Sequence, residues 1–128
     1  MPLTIDEFTG WRYSAATLKN TRGYDNQDAY GYDGHTFVVA DGVSKSTNPA
    51  AAANAVVDFA VSVPSPCGTG KDWADQLLTV ADRRARAADG LTTMTGLRFL
   101  QREPGGSMRT VVFHVGDSML LRVRGDRV

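Results

Sequence analysis

Short apolar runs separated by turn-forming residues dominate both ends of the chain, and a helical period occupies only its middle. Phe37-Val38-Val39-Ala40 is a continuous apolar run rich in β-branched residues that stops at Asp41-Gly42, which predicts a buried strand beginning near Thr36. Gln27 to Tyr32 predicts a preceding strand, and the intervening Asp33-Gly34 is a hairpin signal. Phe8 to Leu18, with Trp11 and Tyr13, is strand-like and leads into a polar loop from Lys19 to Asn26. The first forty residues therefore predict a small antiparallel meander that puts Asp28 and Asp41 on neighbouring strands, not necessarily side by side.

From Asn48 the period changes. Asn48-Pro49 predicts an N-cap with proline at the first helical position, followed by an alanine-rich helix through Ala60 with Val56 and Val57 on its apolar face. Pro64 and Pro66 end it, and Ser65 to Gly70 reads as a loop. A second helix is predicted from Asp72 to Asp89, with Trp73, Leu77, Val80, Ala81, Ala85 and Ala88 on one face and Gly90 as its C-terminal cap. Thr92 to Leu100 and Met108 to Val115 then predict two strands around a Pro104-Gly105-Gly106 turn. Val111 to Val115 is apolar at successive positions, which suggests a central strand covered on both sides, and Met119 to Arg124 predicts a last strand. Strands, two helices and strands again make an α+β pattern in one domain spanning residues 1–128.

Composition narrows the function classes. Lys plus Arg equals Asp plus Glu at 14 each, so no net charge draws the chain to nucleic acid or to a membrane surface. No apolar stretch approaches membrane-spanning length, the N-terminus has no signal-peptide pattern, and the lone Cys67 has no partner for an internal disulfide; these point to a cytoplasmic protein.

Candidate chemistry sits where strands end. An Asp held at the end of a buried strand, with a glycine that lets a carbonyl approach, suits a hard cation, although an Asp-Gly strand end on its own also reads as an ordinary turn. A second acid-glycine strand end, Val115-Gly116-Asp117-Ser118, and a third acid in Asn26-Gln27-Asp28-Ala29 strengthen the cation reading. In this order, with two helices between, the segments resemble the metal-dependent type 2C Ser/Thr protein phosphatases, especially bacterial members. The family's N-E-D-A looks like Asn26-Gln27-Asp28-Ala29, its apolar strand ending in D-G like Val38 to Gly42, its G-T-T segment like Gly90 to Met94, and its V-G-D-S stands intact at Val115 to Ser118. The resemblance runs from about Arg12 to Val123 and covers about the first half of that family's domain.

The resemblance implies a β-sandwich of two antiparallel sheets with helices packed outside (αββα), incomplete at the C-terminus. It also implies a binuclear Mg²⁺ or Mn²⁺ centre whose activated water attacks a phosphoserine or phosphothreonine, the metals being about 3.5–4 Å apart. Asp41 would be the bridging, catalytic carboxylate and the Gly42 carbonyl an extra ligand. Asp28 would ligate metal or orient its waters, and Asp117 would face the cluster. Arg22 would bind the substrate phosphate, with a surface loop arginine as the alternative reading.

Gln27 replaces the family's metal-site glutamate, Val43 to Thr47 replaces its glycine-rich loop, and its later D-G and D-N segments are not among these residues. These departures leave a second reading, a non-catalytic relative that binds a phosphoprotein or partner. An unpaired edge at Met119–Arg124 would favour dimerisation or a partner chain that completes the sheet.

Other signals carry less. Ser65 to Asp72 lacks the first glycine and the Ser/Thr of a phosphate-binding loop. His35 and His114 match no zinc spacing, His114 reading as a core histidine. Cys67 has no accompanying catalytic pattern. Arg124-Gly125-Asp126 reads as a turn, and Arg83, Arg84 and Arg86 as a solvated helix end.

Overall fold

The computed structural model describes residues 4–5, 12–18, 26–63, 70–102 and 104–128. Arg22, Trp11 and Cys67, singled out above, lie outside them. The architecture of the described residues is α+β: a four-stranded antiparallel sheet, two helices, and a separate two-stranded antiparallel sheet. The small sheet pairs β1 (Thr4–Ile5) with β2 (Arg12–Tyr13). The large one has the order β3 (Asp28–Tyr32), β4 (Thr36–Asp41), β5 (Met94–Arg102), β6 (Met108–Val115). The early strands thus divide between two sheets and do not form one meander.

The β3–β4 hairpin closes as the Asp33-Gly34 pair predicts. Gly34 takes a φ of 95°, and the Asp33 carboxylate accepts backbone N–H groups from His35 at 2.9 Å and Thr36 at 2.6 Å. The Pro104-Gly105-Gly106 turn likewise joins β5 to β6, both glycines at a φ of 94°.

Side-chain alternation assigns one face of the large sheet to the helices, although Thr95 and Phe99 of β5 are buried as well. Ala29, Thr36, Val38, Ala40, Met94, Arg98 and Phe113 are buried on one face. Helix α1 (Pro49–Ser62) and helix α2 (Gly70–Ala87) pack on that face through Ala52, Ala53, Val56, Val57 and Ala60, and through Trp73, Leu77, Ala81 and Ala85. The alanine stripe of α1 permits close approach to β3 and β4, where a β-carbon on Gly31 would lie 2.8 Å from Val57 Cγ1. The Trp73 and Phe113 rings meet edge to face at 5.9 Å. Over the other face, the Tyr13 ring of β2 lies 3.8 Å from Tyr32 and 6.1 Å from Phe37.

The helix ends differ in detail from expectation. Asn48 occupies the N-cap position but makes no side-chain capping bond; its carbonyl accepts the Ala52 N–H at 3.0 Å and Pro49 supplies the first helical residue. Helix α2 begins at Gly70, so that residue is helical and not part of a loop. At its other end Asp89 takes the left-handed conformation with φ 59°. The Asp89 N–H donates to the Arg86 carbonyl at 2.9 Å and the Gly90 N–H to the Ala85 carbonyl at 3.2 Å, the two bonds of a Schellman cap. Gly90 is needed one position later than predicted and for another reason: its β-carbon would sit 2.2 Å from the Asn48 carbonyl oxygen. The arginines at this helix end are solvent-exposed, Arg84 standing 5.5 Å over the Phe59 ring.

Two expectations in the C-terminal third are overturned. Among the described strands β6 is the outer one of the large sheet, not a central one. The described helices cover one of its faces, and on the other Val112 is 52% exposed and His114 lies on the surface, its Nδ1 hydrogen-bonded to Thr95 Oγ1 at 2.9 Å. Met119 to Arg124 forms no strand, because none of the described strands offers it a ladder. Beyond it, mutual backbone bonds between Arg124 and Arg127 close the turn expected at Gly125-Asp126. β5 also starts at Met94 instead of Thr92, which makes only an isolated bridge to Gly42.

Candidate metal site

The β3–β4 register brings two of the predicted acids together: Asp28 is directly opposite Asp41. The next pair outward is joined by the Gly42 N–H donating to the Gln27 carbonyl at 2.8 Å. Asp28 and Asp41 therefore occupy a non-hydrogen-bonded position, where side chains of an antiparallel pair come closest. Both project from the face opposite the helices, since their neighbours Ala29 and Ala40 are buried beneath α1. They border a cleft of about 270 Å³ that is also lined by Ala16, Thr17, Tyr30, Val39 and Ser118.

Local hydrogen bonds hold the cleft's rim. Asn26 Oδ1 accepts the Asp28 N–H at 3.0 Å, while Asn26 Nδ2 donates to Thr17 Oγ1 at 2.7 Å and ties down the far wall. Ser44 Oγ donates to Gln27 Oε1 at 2.6 Å, so the residue that departs from the phosphatase pattern is engaged with the loop after Asp41-Gly42. Thr93 takes both backbone groups of Asp41: its Oγ1 accepts the Asp41 N–H at 3.0 Å, and its own N–H donates to the Asp41 carbonyl at 2.9 Å. Its hydroxyl also meets Ser118 Oγ at 3.1 Å, linking the strand end to the turn that carries Asp117.

Thr93 was legible only as part of a G-T-T segment, and Ser118 only as the end of V-G-D-S. Their cross-sheet bonds depend on the β4–β5 and β5–β6 registers, which local pattern does not specify.

Electrostatics agree with this grouping. Desolvation first, then the hydrogen bond and charge of Asp28, then the charge of Asp117, raise the Asp41 carboxyl above its ordinary range. Asp41 therefore senses both of the other predicted acids, although among the described residues no three His, Cys, Asp or Glu side chains converge into a metal cage. Two hard carboxylates with a third nearby suit Mg²⁺ or Mn²⁺, since Mg²⁺ characteristically takes one or two carboxylates and fills its shell with water and phosphate. Arg22 lies outside the described residues, and Gly42 is buried at the strand end beside the acidic pair.

A raised carboxyl pKa favours folding below the ordinary carboxylate range and loses that contribution as pH rises through the folded value. At neutral pH the opposed charges therefore oppose folding, modestly because Asp41 remains open to solvent. Asp41→Asn should raise the melting temperature of the metal-free protein by about 1–4 °C at pH 7, with the gain vanishing as the pH falls to about 4. Thermal melts in chelator at both pH values measure this; a variant less stable than wild type at pH 7 would contradict a repulsive pair.

No family model, no curated protein and no solved structure matches this chain. No helix among the described residues is long and apolar enough to cross a membrane.

Proposed function

We propose that the chain acts as a Mg²⁺- or Mn²⁺-dependent phosphomonoesterase on phosphoserine or phosphothreonine proteins, with Asp41 at the centre of the metal site. The observation that carries this reading is the cross-strand opposition of Asp28 and Asp41 beside an open cleft, with Asp117 close enough to help raise Asp41. Asp41 and Asp28 would hold the cation, the Gly42 carbonyl would add an oxygen donor, Asp117 would add charge from the β6 side, and Arg22 would take the phosphate. Bound metal supplies an activated water and neutralises phosphate charge. The strand ends hold the carboxylates, and the cleft gives a phosphorylated side chain access to them.

The wider resemblance extends to a sandwich in which a second sheet lies on the face opposite the helices. Tyr13 already packs there against Tyr32 and Phe37, and Tyr30 on that face is 45% exposed. These contacts support the αββα reading.

Hydrolysis of an aryl phosphate with Mn²⁺, compared between wild type and Asp41→Asn, tests the proposal. Turnover should depend on Mn²⁺ and fall by about a hundredfold or more in the variant. Equal turnover by both proteins would sink it. The engagement of Gln27 with Ser44, in place of a charged metal-site glutamate, favours a second reading in which the site binds a cation and phosphoprotein without turnover. Mn²⁺ binding that is lost in Asp41→Asn, without hydrolysis by either protein, would select that reading.

A further inference from the structure

The two elements that carry the acids belong to distant parts of the chain, and one side chain joins them. Asp41 ends β4, Asp117 lies in the turn just beyond β6, and between them in the sheet is the residue that precedes β5. That residue, Thr93, makes three polar contacts with these two elements: its hydroxyl accepts the Asp41 N–H, its own N–H donates to the Asp41 carbonyl, and its hydroxyl shares a bond with Ser118. A hydroxyl can do this because it accepts and donates at once, so one oxygen serves both neighbours. The turn is also seated on it sterically. Gly116 has a φ of 105°, and a β-carbon there would lie 2.5 Å from Thr93 Cγ2 and 2.7 Å from Thr93 Cβ.

We propose that Thr93 is the positioning residue of the acidic site, its hydroxyl clamping the strand end that bears Asp41 to the turn that bears Asp117. It touches neither cation nor substrate; it sets the separation of the carboxylates that do. This rests on reading those acids as a cation site.

The clamp is double. The methyl and backbone of Thr93 support Gly116, while the hydroxyl holds Asp41 and Ser118. Valine keeps the first contact and removes the second, leaving the Asp41 N–H without its acceptor. Serine keeps the hydroxyl and loses the methyl. The two substitutions therefore separate packing from polar positioning.

The test compares wild type, Thr93→Val, Thr93→Ser and Asp41→Asn by Mn²⁺ titration calorimetry, and compares the first three by ¹⁵N relaxation at Asp117 and Ser118 in chelator. Thr93→Val should weaken Mn²⁺ binding about tenfold, the size of effect seen when a supporting hydrogen bond to a metal ligand is lost. It should also loosen the 116–118 turn in the metal-free protein, and Thr93→Ser should restore both. Val56→Ala, a buried change on the far side of the sheet, controls for general destabilisation and should leave affinity unchanged.

Wild-type binding that is matched by Thr93→Val would overturn the clamp while leaving the proposed function standing. Absence of Mn²⁺ binding in wild type would remove the proposed function. The relaxation data would then decide the clamp alone: a turn equally ordered in Thr93→Val overturns it, and a turn loosened there and restored in Thr93→Ser upholds it.

Discussion

Gly42→Ala should destabilise the fold by about 2–4 kcal/mol, a large part of the total for a domain of this size. Gly42 has a φ that other residues can adopt, so the expected loss is steric. A β-carbon at this position would stand 2.3 Å from the Pro49 carbonyl oxygen, 2.6 Å from its carbon and 2.8 Å from Pro49 Cβ. Those atoms belong to the first turn of α1, which cannot swing aside like a flexible side chain. Gly42 itself is held on the other side by its N–H bond to the Gln27 carbonyl at 2.8 Å. Relief must come from moving the helix start or opening the β3–β4 ladder beside Asp28 and Asp41. Urea unfolding measures the loss. Gly105→Ala is the comparison, because nothing lies within 4 Å of a β-carbon there and only its φ of 94° is strained, for a loss of about 1 kcal/mol. If Gly42→Ala unfolds at the wild-type midpoint, the close approach of strand end and helix start is not a constraint on the fold.

The Asp-Gly pair was readable as the end of a buried strand, because the apolar run stops there. The sequence reads the glycine as letting a carbonyl approach a cation, whereas the structure shows it making room for the Pro49 backbone; the start of α1 followed from Pro49, and the helix runs on past Ala60 to Ser62. The β6 limits were equally legible, since Gly106 and Gly116 bracket the run and both take positive φ. Pairing was not legible. Met119 to Arg124 has the composition of a strand, but a strand exists only where another offers hydrogen bonds, and no short window of sequence contains that information. The same limit concealed the best feature of the candidate site. Asp28 and Asp41 could be assigned to neighbouring strands from the hairpin, whereas their direct opposition follows from a register fixed by the Asp33 turn. Composition also misdirected the reading of β6. Its unbroken apolar run suggested cover on both sides, yet the described helices pack on one face, and alternate residues such as Val112 remain partly exposed. In β5 the error that composition invites runs the other way, because a charged residue falls on the helix-covered face.

That residue is Arg98, 3% exposed, and its replacement should separate the contribution of its volume from that of its charge. Met94, Gly96 and Arg98 share the buried face by strand alternation, so the guanidinium has no route to bulk water that keeps the register. It lies 5.7 Å over the Trp73 ring, donates from Nη1 to Thr36 Oγ1 at 2.8 Å and to the Val63 carbonyl at 3.3 Å, and stands 3.9 Å from Asp33 Oδ2. Desolvation lowers its pKa and the Asp33 charge offsets part of that, which leaves it cationic at every working pH. The Asp33 carboxylate is partly open to water and already accepts two backbone N–H groups, so it does not depend on Arg98. Arg98→Met keeps most of the buried volume and removes an expensive charge, with two acceptors left to find other donors; the expected loss is about 1–2 kcal/mol. Arg98→Ala removes the volume as well and opens a cavity between Trp73 and the sheet, for an expected loss of about 3–5 kcal/mol. Urea midpoints for both variants decide the matter. Equal losses would mean that the ion pair and hydrogen bonds dominate and packing contributes little, whereas the predicted order means that Arg98 serves the core chiefly by filling it.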